Sequence, residues 1–74
     1  MARYVKYAIK KEEFIIGMGK ASKYMDGFAT GELSYNNSSH RQTAIQKYQY
    51  ALERASKISD KERIKKQIHF LQAG

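Results

Sequence analysis

The apolar positions of this chain keep a helical period in its second half and an ambiguous one in its first. Ala44, Ile45, Tyr48, Ala51, Leu52 and Ala55 recur at three- and four-residue spacing, which predicts a helix over 39–57 with one apolar face. Ser38 and Ser39 precede it, and Ser39-His40-Arg41-Gln42 has the S-x-x-Q form of a capping box. The pattern restarts at "ISDKERI". Ser59 reads as an N-cap with Glu62 three residues on, and Asp60 and Glu62 suit the positive end of a helix dipole. Ile64, Ile68 and Leu71 then mark the buried stripe of a helix over 59–72. The short break between the two predicts an antiparallel pair or a bent, near-continuous helix.

Residues 1–19 admit two periods. As strands, Val5, Tyr7 and Ile9 alternate with Tyr4, Lys6 and Ala8, and Phe14, Ile16 and Met18 alternate with Ile15 and Gly17. Lys10 to Glu13 would form the turn. This register pairs Ile9 with Phe14, Tyr7 with Ile16 and Val5 with Met18, all on one face, with Lys6 opposite Gly17 on the other. The residue types favour strands, and Gly17 and Gly19 would mark a strand end or bulge. As a helix, positions 4, 7, 11, 14, 18, 21, 25 and 28 hold Tyr, Tyr, Lys, Phe, Met, Ala, Met and Phe, a repeat of about 3.5 residues. Two interior glycines at about 1 kcal/mol each, and no capping residue near the start, weigh against it.

The expected fold is therefore α+β: one domain over 1–74 with an N-terminal β-hairpin (1–19), a loop (20–38) and two antiparallel helices packed beneath the hairpin. Leu33 and Tyr35 offer a short third strand, and Asn36-Asn37 a turn before the first helix. An all-α three-helix bundle is the alternative.

Size and composition narrow this further. At 74 residues the chain is one small domain, burying roughly 60% of its unfolded surface. It has no cysteine, so neither disulfides nor thiolate zinc can staple it, in keeping with a reducing, cytoplasmic setting. Lysines at 6, 10 and 11 break every early apolar run, which fits neither a signal segment nor a membrane span. Fourteen Lys and Arg against seven Asp and Glu give a net charge of +7. Residues 37–74 carry eight basic and three acidic side chains, and residues 1–36 six and four. Such an excess points to an acidic partner, either nucleic acid or an anionic protein surface.

Catalytic chemistry finds no constellation. Gly17 and Gly19 form a lone G-x-G without the remainder of a phosphate loop. His40 and His69 fall in different helices at no ligand-pair spacing, and read as a capping-turn and a helix-surface residue. Glu12 and Glu13 point apart and offset Lys10 and Lys11. Ser22, Ser38 and Ser39 lack a neighbouring base. The expectation is a non-enzyme without cofactor or metal.

Binding chemistry is better supplied. On the predicted helix 39–57, Lys47, Tyr50, Arg54 and Lys57 share the side opposite the apolar stripe. Cations there would hold a phosphate backbone, and Tyr50 would stack on a base or donate a hydrogen bond. Lys20 and Lys23, in the expected loop with Tyr24, add a secondary contact. Arg63, Lys66 and Phe70 face away from the last helix's stripe, so Phe70 reads as an exposed anchor or a dimer contact. Tyr24 and Phe28 are further aromatic anchors, since aromatic residues dominate interface hot spots.

"AIQKYQYALERA" contains A-x-x-x-Y-x-x-A, similar to the second helix of a tetratricopeptide repeat, but no second copy follows and Gly31, Glu32 and Ser56 depart from the repeat frame. "RYVKYAIKKEEFIIGMGKASKYM" resembles the opening of short basic proteins of Gram-positive phages and mobile elements, in which a hairpin precedes a lysine- and tyrosine-bearing loop. That resemblance implies a small accessory factor that blocks a host complex by binding. Three readings follow: a basic module contacting nucleic acid or a nucleic-acid-handling complex through phosphates; a phage or mobile-element inhibitor or adaptor on an acidic face of a host protein such as a defence nuclease; and a small structural homodimer.

Overall fold

The computed structural model describes the backbone of residues 2–73 and the side chains of residues 10–73. It is all helical: α1 (Ala2–Thr30), α2 (Ser38–Arg54) and α3 (Ile58–Ala73), with 84% of the chain in helix and no strand among the described residues. The α+β expectation is overturned, and the hairpin, the third strand and most of the 20–38 loop go with it. None of the three helices is long and apolar enough to cross a membrane.

The reason lies in the side chains between 14 and 28. A strand would place Phe14, Ile16 and Met18 on one face. Instead Phe14 and Met18 pack against the core while Ile16 is 48% exposed. Phe14, Met18, Ala21, Met25 and Phe28, the helical repeat of the same segment, are all buried or half-buried. The backbone of Val5, Tyr7 and Ile9 is helical too; their side chains, and those of Tyr4 and Lys6, lie outside the described residues.

Gly17 is no strand exit. It is buried where α1 crosses α2, and a Cβ built there would lie 2.8 Å from Tyr50 Cδ1 and 3.2 Å from Ala51 Cβ. Ala21 of α1 and Ala44 and Ala51 of α2 are fully buried in the core. Small residues let the two backbones approach closely, and the packing so gained offsets the poor helix propensity of glycine. Gly19 has no atom within 4 Å of such a Cβ, so its cost is uncompensated.

α1 stops at Gly31, whose φ of +84° is left-handed backbone that glycine tolerates best. The Leu33 N–H donates to the Gly27 carbonyl at 3.0 Å, folding the chain back over the helix end. Tyr35 then plugs the loop. Its ring meets Phe28 edge-on at 5.5 Å and Phe70 at 5.8 Å, and its hydroxyl donates to the Phe70 carbonyl at 3.2 Å. Arg41 lies over the same ring and donates to the Tyr35 carbonyl.

The two later helices fall where the periodicity puts them, with shifted ends. The N-cap of α2 is Asn37, whose side chain accepts from the N–H groups of Ser39 and His40. Asn37 outranks Ser39 because it meets the turn in extended backbone with its oxygen aimed at two free N–H groups. α2 ends at Arg54, since Ala55 is extended, and α3 begins at Ile58, placing Ser59 inside its first turn.

α2 is the central element and packs against both α1 and α3. The core is small and alanine-rich: Ala21, Ala44, Ile45, Tyr48, Ala51, Ala55, Ile64, Ile68 and Leu71. Every α2 and α3 position expected in the apolar stripes is in it or, for Leu52, packed against it. The molecule measures 47 × 20 × 17 Å. Its length is that of α1, about 43 Å for 29 residues at 1.5 Å each. The last residue of α2, Arg54, pairs with Glu13, so the first turns of α1 run on past the end of α2.

Candidate nucleic-acid interface

With α1 helical, residues expected far apart in structure come together along the α1–α2 seam. The helices run antiparallel, setting Glu13 beside Arg54 and Gly17 beside Tyr50. One turn further on, Lys20 faces Lys47 across a groove of about 220 Å³ lined by Ile16, Gly17, Lys20, Gln46, Lys47 and Tyr50. Its walls carry two ammonium groups, an amide and a phenol, and no carboxylate. Lys20 is exposed and Lys47 half-buried, and neither forms an ion pair among the described residues. Two cations on separate helices thus line a shared space, with no carboxylate in its lining among the described residues.

Arg54 does not belong to it. Its Nε donates to a Glu13 carboxylate oxygen at 2.5 Å, its Nη1 donates to the Tyr50 carbonyl at 3.1 Å, and Nη1 also lies 3.4 Å from Glu53. The Glu13 hydrogen bond is the main cause raising the Arg54 pKa further above its usual value. Its guanidinium carbon sits 3.6 Å from the centroid of the Tyr50 ring. The expected phosphate contact is thus a clamp joining α1 to α2. Tyr50 changes role with it, because one ring face is covered by Arg54 and an edge is pressed on Gly17. Stacking through that face is closed to it, while the residue as a whole stays 39% exposed.

Lys57 also leaves the expected row, since α2 ends before it. It lines a second groove, of about 240 Å³, with Lys10, Lys11, Phe14, Ile15, Arg54, Ser56 and Asp60. Lys23 is exposed on α1, three residues beyond Lys20.

The expected anchors divide. Tyr24 and Phe28 are half-buried against the core, so neither is a free aromatic anchor. Phe70 is 55% exposed but rests on Tyr35. Arg63 and Lys66 are exposed on α3 without an ion pair among the described residues. His40 is half-buried, its Nδ1 enclosed with no hydrogen-bond partner among the described residues. No group of three His, Cys, Asp or Glu side chains is placed to hold a metal among the described residues.

Gln46 and Ile16 in the first groove, and Lys10, Lys11, Phe14 and Ile15 in the second, are not among the expected site residues; all but Gln46 fall in the expected hairpin. Helical numbering of α1 was the signal for them: positions 13, 16, 17 and 20 share a side only at 100° per residue. No family model, curated protein or solved structure matches this chain.

Proposed function

We propose that the chain is a non-catalytic module that grips the phosphate backbone of nucleic acid in the α1–α2 groove. Lys20 and Lys47 hold the phosphate oxygens from opposite walls, Gln46 and the Tyr50 hydroxyl donate hydrogen bonds beside them, and Lys23 extends the contact along α1. The observation that carries this reading is the pairing of Lys20 with Lys47 across a groove that no carboxylate lines. The net charge of +7 supports it by drawing polyanions to the surface. Lysine contacts to phosphate carry no sequence information, so binding through this pair is indifferent to sequence.

The test is a mobility shift on mixed-sequence DNA and RNA duplexes at rising salt. Retention that weakens steeply with salt, and equally for unrelated sequences, is the expected result, because phosphate contacts release counterions. Retention that ignores salt rules the reading out.

A further inference from the structure

The second groove has a different chemistry, and it lies on the other side of the Glu13–Arg54–Tyr50 clamp. Its floor is apolar, built from Phe14 and from Ile15, which is 59% exposed. Its rim carries Lys10, Lys11 and Lys57 against a single acid, Asp60. Ile58, next in the chain after Lys57, is the most exposed large apolar side chain of those described, at 73%. Two isoleucines lie exposed near three lysines that form no ion pair among the described residues, and neither isoleucine belongs to the core.

We propose that this groove receives an acidic segment of a protein partner, seated by one apolar anchor side chain on Phe14 and Ile15. The volume of about 240 Å³ lies below the roughly 300–1,000 Å³ of small-molecule sites, and suits one side chain. The cationic rim selects carboxylates on either side of that anchor. A sugar-phosphate backbone has nothing to set on an apolar floor. A second copy of this chain lacks the complementary segment: its one pair of adjacent acids is Glu12-Glu13, and Glu13 is already tied to Arg54. The proposal goes beyond the phosphate groove, and the two surfaces together make an adaptor between a polyanion and an acidic protein.

Fluorescence anisotropy tests it on the full chain. The probe is a fluorescein-labelled peptide of interleaved glutamate and leucine; the control has glutamine at every leucine, with the same charge. The leucine peptide is expected to bind at least about ten-fold tighter, the scale of one apolar anchor leaving water. Ile15→Gln, a surface change that leaves the circular dichroism intact, removes most of that advantage. The Lys20→Ala/Lys47→Ala variant keeps it, which separates this proposal from the phosphate reading. Equal binding of the two peptides, or none, overturns the proposal, as does an Ile15→Gln variant that binds as the parent does. Displacement of the peptide by mixed-sequence DNA from the Lys20→Ala/Lys47→Ala variant overturns it in favour of nucleic acid. A free-protein dimer that Ile15→Gln dissociates overturns it in favour of a second copy.

Discussion

Arg54 lies over Tyr50, its guanidinium carbon 3.6 Å from the ring centroid, while its Nε donates to Glu13 on the neighbouring helix. This one side chain takes a cation out of the proposed binding surface, covers an aromatic face and ties α1 to α2. Arg54→Ala should therefore lower stability modestly, through loss of the cation–π contact with Tyr50 and the ion pair with Glu13. It should weaken nucleic-acid binding less than Lys47→Ala does. Urea unfolding and anisotropy on the same preparations check both. Unchanged stability with lost binding would return Arg54 to the interface.

The two glycines inside α1 should respond in opposite directions. Gly19→Ala meets no atom and gains helix propensity, so stability should rise by about 0.5–1 kcal/mol. Gly17→Ala forces its Cβ on Tyr50 and Ala51, and should cost about 1 kcal/mol or more despite the same propensity gain. Thermal melts resolve this, at roughly 4–8 °C per kcal/mol for a domain of this size. Two similar shifts would place α1 and α2 further apart than described.

Gly31→Ala should destabilise by about 1–2 kcal/mol, because a φ of +84° strains any residue with a Cβ. Open space surrounds this position, so no clash contributes. Chemical denaturation of Gly31→Ala beside Gly31→Asn, which tolerates left-handed backbone better, should show the asparagine variant to be the more stable.

Alkaline pH should loosen the fold through Tyr48. Burial, with the Asp26 charge second, raises its pKa above 10.0. Well below pH 10.0 both folded and unfolded chains keep the phenolic proton, and nothing is lost. Above it the unfolded chain releases a proton that the fold retains, so stability falls as pH rises towards the folded pKa. Tyr48→Phe should flatten that part of the decline in urea unfolding between about pH 9 and 11.

Much of the fold was legible where each helix buries a simple stripe. Ile64, Ile68 and Leu71 can be read straight from their spacing, and so can Ala44, Ile45, Tyr48 and Ala51. α1 was harder because Tyr, Val, Ile and Phe at its start suit strands, and because intrinsic propensity counts Gly17 as a fault. Only the neighbouring helix reveals why a glycine belongs there. The same contact explains the site. Lys20, Lys47 and Tyr50 could be named one by one, but their meeting depends on α1 being helical. The engagement of Arg54 depends on Glu13, forty-one residues away in sequence. Tertiary pairing of this kind leaves no local pattern to read.

The salt dependence of duplex binding by the parent and by the Lys20→Ala/Lys47→Ala variant tests the central claim most directly. Each phosphate contact removed lowers the slope of log affinity against log salt by about 0.9, so the double variant should lose about 1.8. Its unfolding midpoint should match the parent's. A slope that stays unchanged, with the variant folded, would contradict phosphate binding in the α1–α2 groove.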